Sequence, residues 1–413
     1  MTRAPSLAAA LSFGLGLAVA GGAWADGLRL RTAYTSSAAW NRASSLDAFL
    51  GYSGQTSGAG SLRLMWDKGF GDFRVEIHSN TAFAQGDFLG YATAIAPFYP
   101  TPLPATLFDL TRTWSVNGST LATNTIDRLN VTYSAPHFVL KLGRQAITWG
   151  TGLAFHPGDI VAPFAPNATD TAYKPGADMV YSQILFDSGA DIQAVWVPRG
   201  TTLGGAIDFS SSTFALRGQT ALGSLEAALM LARDRGDPAV GLSLSGALGG
   251  ASWNAEVTTY DISGSLVPSW TLNIMNFATL AGRNISYYGE FYHNGFGAEA
   301  STPLDSLPAS LTKRMAAGQV FLPGRDFLAL GGTMAIDPDL SLGASAIVNV
   351  NDRSALAGLS INYTLGDNTN LVFNYFQPFG AEGTEFDGRE TSSGSGIFSA
   401  APRAASLQLV HFF

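Results

Sequence analysis

The chain has 413 residues, 46% of them hydrophobic and only 13% charged, with 47 Gly, 26 Phe, 8 Trp, no Cys and a net charge of −8. Charged residues are about half as frequent as the roughly 25% of a soluble domain, while aromatic residues at 11% exclude a solvated, disordered chain. A polytopic helical membrane protein is excluded as well: only the stretch between Leu7 and Ala25 approaches the ~20 apolar residues that a spanning helix needs.

Residues 1–25 read as a secretory leader. Arg3 is its lone positive charge, an apolar stretch runs from Leu7 to Ala20, and Ala23-Trp24-Ala25 offers a small-x-small cleavage site before Asp26. Residues 26–413 are then one exported domain. Without Cys, that domain has neither a disulfide framework nor a thiolate metal site. No basic cluster relieves the acidic balance, so nucleic acid is not an expected partner.

Residues 27–35 look extended and are taken as a lead-in to, or continuation of, the first strand. From there the chain alternates with period two, the strand signature. In 72–78, Phe73, Val75 and Ile77 share one face, and Arg74, Glu76 and His78 the other. The same holds for Leu129, Val131 and Tyr133 against Arg128 and Asn130, and for Trp253, Ala255 and Val257 against Asn254, Glu256 and Thr258. Further on, Ile285, Tyr287 and Phe291 oppose Ser286 and Glu290, and Leu342, Ala344 and Val348 oppose Ser341, Ser345 and Asn349. Eighteen strands are predicted, near 44–52, 58–68, 71–83, 124–134, 137–148, 176–187, 190–199, 206–219 and 222–234, then 238–248, 251–262, 270–280, 283–294, 326–336, 339–350, 355–366, 369–379 and 402–413. Their number could lie between about 16 and 20, and an even count is the rule for bacterial barrels.

Many of these runs are of 10–13 residues, against the ~9–11 that a tilted strand needs to cross a bilayer and the ~5–6 usual in globular proteins. Tyr and Trp recur near their ends, as at Trp66, Tyr133, Trp196, Tyr260 and Trp270, where an interfacial girdle belongs. The predicted fold class is therefore all-β, a transmembrane antiparallel β-barrel. Tight connections such as 67–71, 134–137, 248–251 and 366–369 alternate with longer ones, of which 84–123, 150–175, 295–325 and 380–401 are the longest. Counting back from a periplasmic C-terminus puts all four long loops outside and the tight turns inside.

With the polar faces inward, Arg63, Arg74, Arg128 and Lys141 line four consecutive strands, with Glu76 among them, while Glu226, Glu256 and Glu290 fall about half a turn away. A basic wall opposite an acidic one would orient water and dipolar solutes in the pore. The plainer reading is that these residues pair with lumen neighbours. The long loops are rich in Phe, Tyr, Leu and Pro, a composition costly to leave in water, so they are expected to fold inward or pack as a cap; 303–317 could form a short helix. In 150–175 and its flanks, Arg144 or Lys174 meeting Asp159, Asp170 or Asp178 would pin the loop to the wall, since buried charge is tolerated only when paired.

Leu407, Leu409, His411 and the terminal Phe413 share a face. This resembles the C-terminal signal of Gram-negative outer-membrane proteins, and implies the outer membrane as location and the barrel-insertion machinery as a partner through Phe413; His411 stands where an aromatic or aliphatic residue is commoner. Gly143-Arg144-Gln145-Ala146-Ile147-Thr148-Trp149-Gly150, followed by Pro157-Gly158-Asp159, Pro163-Phe164-Ala165-Pro166 and Tyr173-Lys174-Pro175-Gly176-Ala177-Asp178, is similar to a strand-loop-strand block of porin-like and alginate-export-like barrels. It covers about a tenth of the chain and carries no substrate identity.

No enzyme constellation is present: there is no Gly-x-Ser-x-Gly, P-loop, His-Glu-x-x-His or EF-hand pattern, and His78, His137, His156, His293 and His411 are scattered. The expected function is passive, porin-like transport of small solutes, with no cofactor, metal or catalytic residue. Two alternatives are a carrier of hydrophobic compounds or lipids and a non-conducting barrel that serves as an assembly or surface partner. Homo-oligomers are common among porins, but no interface is legible here.

Overall fold

A computed structural model describes residues 27–413 except 169 and 300; the leader assigned to 1–25 lies outside the described residues. Strands run as β1 Leu28–Trp40, β2 Gly54–Phe70, β3 Phe73–Gly86, β4 Thr111–Asn117, β5 Thr120–Ala135, β6 Phe138–Gln145 and β7 Ala177–Leu185. They continue as β8 Asp191–Val197, β9 Thr213–Leu222, β10 Leu225–Asp234, β11 Asp237–Leu248, β12 Ala251–Ile262, β13 Ser265–Leu280 and β14 Arg283–His293. The last are β15 Asp326–Ala335, β16 Leu340–Asn349, β17 Ala355–Thr364, β18 Thr369–Phe379, the short β19 Arg389–Glu390 and β20 Phe398–Ser399, and β21 Arg403–Phe412.

Successive wall strands pair antiparallel, and β21 pairs back onto β1, with Arg31 opposite Phe412 and Trp40 opposite Arg403. Closure removes the sheet edges that a bilayer could not satisfy. β4 stands outside the cycle. It pairs only with the first half of β5, while β6 takes the second half, which leaves eighteen strands in the closed wall.

The period-two pattern maps onto two surfaces. Leu129 and Val131 are exposed outward around Asn130, which is 2% exposed; Leu229 and Leu231 likewise flank buried Met230. Glu256, Thr258, Asn273 and Glu290 all point inward and are buried. Connections at one end are tight. At the other, the longer segments 41–53, 87–119, 198–212, 294–325 and 380–402 are tied to one another by main-chain bonds, as from Leu103 to Ala316, Gly204 to Leu107, Asp305 to Thr391 and Phe398 to Ser44. The helix expected within 303–317 is present as α-helix Ala309–Ala316.

The first predicted strand is corrected. Residues 44–52 form no strand: Ser45 caps a single helical turn, Leu46–Phe49, accepting the Ala48 amide at 3.1 Å. The stretch read as a lead-in is instead the strand that closes the wall. Its second half, Ser36-Ser37-Ala38-Ala39, carries little apolar contrast, so alternation fades where the strand continues. Its pairing with β21 is fixed from the far end of the chain.

Candidate functional site

The 146–176 segment, between β6 and β7, does not stay at the rim. Its Trp149, Ile160 and Val161 pack against inward side chains of the wall, including Met179, Val195, Met230 and Tyr260. Its Phe155 stacks on Tyr292 with ring centroids 4.4 Å apart. The segment therefore lies inside the barrel.

On the far wall, two carboxylates hold it by its main chain. Glu290 accepts the amides of Leu153, Ala154 (3.1 Å) and Phe155 (2.7 Å), and the side-chain amide of Asn273 at 3.1 Å. Glu256 accepts the Thr151 amide at 2.7 Å, the Thr151 hydroxyl at 3.0 Å and the Gly158 amide at 3.1 Å. Such charge-assisted bonds are about twice as strong as neutral ones. The approach is close: a Cβ at Gly158 would sit 3.0 Å from a Glu256 oxygen and press the carboxylate back.

On the near wall the segment is held by side chains. Lys174 pairs with Asp159 within the segment, and donates to the Ile147 carbonyl at 2.6 Å and the Thr148 hydroxyl at 3.0 Å. Asp170 meets Arg31 of β1 at 2.7 Å. Tyr173 is clamped most thoroughly: Arg63 lies 3.5 Å over its ring and Arg128 4.5 Å. Its hydroxyl donates to Asp127 at 3.0 Å and lies 2.6 Å from His78 Nδ1. A β-bulge makes this clamp. Arg128 pairs with His78 and Ile126 with Ser79, so Asp127 is the extra residue and both it and Arg128 reach the lumen.

The remaining charges are distributed as follows. Arg63 pairs with Asp127, Lys141 with Glu76 at 3.0 Å, and exposed Arg74 approaches Asp67 and Glu76 at 3.5 and 3.6 Å. Arg128 donates to the main-chain carbonyls of Asp127 and Lys174. The basic residues are thus mostly neutralised by acids of their own wall, and Glu256 and Glu290 face loop amides rather than an open channel. Glu226 alone of the three far-wall acids faces free space. Arg144 binds Asp178 in a two-pronged pair at 2.9 Å, and this pair grips a different segment: Asp178 accepts the amides of Leu107 and Phe108 from 87–119.

Sequence reasoning did not single out Arg31, Asp127 or Tyr173. Tyr173 lies in the quoted motif block, and Arg31 alternates with Leu28 and Leu30, so both carried a faint signal. Asp127 carried none, since strict alternation assigns it to the outward face.

Beneath the segment, toward the tight-turn end, a cavity of about 510 Å³ remains against β6 to β11. Lys141, Gln193, Arg217, Gln219, Glu226 and Ser243 line it. Arg217 donates to Gln219 at 2.6 Å and has no acid within ion-pair reach among the described residues. The cavity lining is mainly polar.

No protein-family model and no curated protein sequence matches the chain. Solved structures do. A BenF-like porin from Pseudomonas fluorescens Pf-5 superposes with a TM-score of 0.53 at 11% identity, covering 94% of this chain and 98% of that one. Pseudomonas aeruginosa OccK5 (OpdH) gives 0.53 at 10% identity, with the same 94% and 98% coverage. Wzi, an outer-membrane protein involved in group 1 capsule assembly in Escherichia coli and a carbohydrate-binding β-barrel, gives 0.52 at 10% identity over 93% of this chain and 84% of that one. The fold is the porin-type barrel. At this identity the likeness concerns architecture alone.

Proposed function

We propose that the chain is an outer-membrane, porin-like channel for passive passage of small polar solutes, its path narrowed by 146–176. One observation carries the reading: Glu256 and Glu290 hold that segment's main chain on the wall opposite its roots, above a polar cavity. A barrel serving only as a surface would need no loop tied across its interior. The cavity lining, rich in amide, hydroxyl and charged groups, favours polar solutes over the hydrophobic-carrier alternative. Arg144–Asp178 and Lys174–Asp159 act as anchors in this reading, and Arg63, Arg74, Glu76, Arg128, Lys141 and Glu226 shape the water-filled part. Insertion through a terminal Phe413 signal and residence in a Gram-negative outer membrane belong to the same proposal.

Single-channel recording of the purified protein in planar bilayers tests it. Discrete conductance steps are expected, and deleting 152–172 should raise the step size several-fold. A silent wild-type protein would overturn the channel, and an unchanged step in the deletion would overturn the constriction.

A further inference from the structure

The outward face at the loop end carries cations that the protein leaves unneutralised. Arg403 starts β21 on the same face as Leu407, which is 42% exposed, and Arg233 lies next to the end of β10 on the face of Leu229 and Leu231. Neither guanidinium has an ion-pair or hydrogen-bond partner among the described residues. β10 is ninth and β21 eighteenth around the wall, so the two arginines stand on opposite sides of the barrel at the same end.

Only one of them sits in a formed groove. Arg403 shares a groove of about 590 Å³ with Trp40, Arg42, Tyr375, Gln377 and Asp387, where β18, β21 and β1 meet. Arg42 is already committed, pairing with Asp387 and with Glu382 at 2.8 Å. Arg403 is left as the one cation there without an acid. Trp40 is 49% exposed. Trp40 and Tyr375 lie where the apolar band ends, the level at which aromatic rings meet lipid headgroups. The Tyr375 hydroxyl donates to Gln377 at 3.0 Å, and Asp387, ion-paired with Arg42, brings its remaining carboxylate acceptor capacity to the same groove. Cation, hydroxyl acceptors and ring faces are thus grouped above an apolar strand face.

We propose that this groove binds the phosphate-bearing, hydroxyl-rich headgroup of a membrane lipid. Arg403 takes the phosphate, Asp387 and Gln377 take headgroup hydroxyls, Trp40 and Tyr375 flank the linkage, and the acyl chains follow the wall past Leu407. The inference rests on the chain spanning a membrane, and not on what the lumen conducts.

The test is lipid retention by the full protein in neutral detergent, measured by native mass spectrometry with phosphatidylglycerol, phosphatidylcholine and free glycerol phosphate. The wild-type protein should retain phosphatidylglycerol over phosphatidylcholine by at least about fivefold, since one basic residue at a membrane surface contributes roughly 1 kcal/mol. Arg403→Gln should erase the preference, Arg403→Lys should keep it, and Arg74→Gln in the lumen should not touch it. A preference that survives Arg403→Gln, or one absent from the wild type, would overturn the site. Displacement of the lipid by glycerol phosphate at equal concentration would overturn a lipid in favour of a soluble anion. Because no conductance is measured, failure here leaves the channel reading standing, and a silent channel leaves retention measurable.

Discussion

The two walls hold the same segment by different chemistry. The near wall uses side chain on side chain, Arg31 with Asp170 and Tyr173 between Arg63 and Arg128, while Lys174 and Asp159 tie the segment to itself. The far wall uses side chain on main chain, with Glu290 and Glu256 collecting amides from 151–158. A pair of side chains neutralises its own charge, so either partner becomes a liability when the other is lost. A carboxylate on amides has no countercharge to strand. Its removal forfeits hydrogen bonds, and the loop can turn the freed amides toward water.

That difference predicts unequal costs. The largest effect belongs to Asp159→Asn, because Lys174, only 8% exposed, would keep its charge with only neutral oxygens to receive it: the amide oxygen at 159, the Ile147 carbonyl and the Thr148 hydroxyl. Removing one member of a buried pair costs about 3–5 kcal/mol. Limited proteolysis should then cut within 146–176 under conditions that spare the wild type, and equal protection would show that the segment's internal ion pair is dispensable. Glu290→Gln should cost less, about 1.5–3 kcal/mol for charged acceptors lost. Its single carbonyl oxygen cannot serve four donors, and its own NH₂ would face the loop amides. Open-channel current noise should rise while the segment stays attached at the near wall; noise at the wild-type level would mean that the far wall does not restrain it.

The same contrast explains what could be read in advance. Outward and inward faces were legible because lipid and lumen impose opposite polarity on alternate residues, as at Leu129, Asn130 and Val131. Arg144, Lys174, Asp159, Asp170 and Asp178 were legible as charges that need partners, but which pairs with which was not: Asp170 goes to Arg31, and Arg144 finds Asp178 34 residues on. The far-wall anchorage was not, because a main-chain amide looks the same at every position, and Leu153, Ala154 and Phe155 advertise nothing to a glutamate more than 130 residues away. Asp127 was hidden by a one-residue bulge that breaks the alternation used to place it. β1 was misjudged because its closing partner, β21, lies at the other end of the sequence.

The smallest expected effect is a graded loosening with pH, and it lies at the tip that joins the two anchorages. His156 sits between Gly152 and Asp159, and burial holds its imidazole below the ordinary histidine value; Asp159 pulls it back up, and Lys174 opposes protonation. Its Nδ1 is buried without a partner. A histidine whose folded value is depressed supports the folded arrangement above the unfolded value of about 6.5, and that support is lost as the pH falls through the folded value. Acidification from pH 7 toward pH 5 should therefore increase current flicker without changing the mean step, since no anchor is broken. His156→Gln keeps polarity and size but cannot take a proton, so it should flatten the response in this window. If the variant flickers with pH as the wild type does, the titrating group lies elsewhere and His156 has no part in the response.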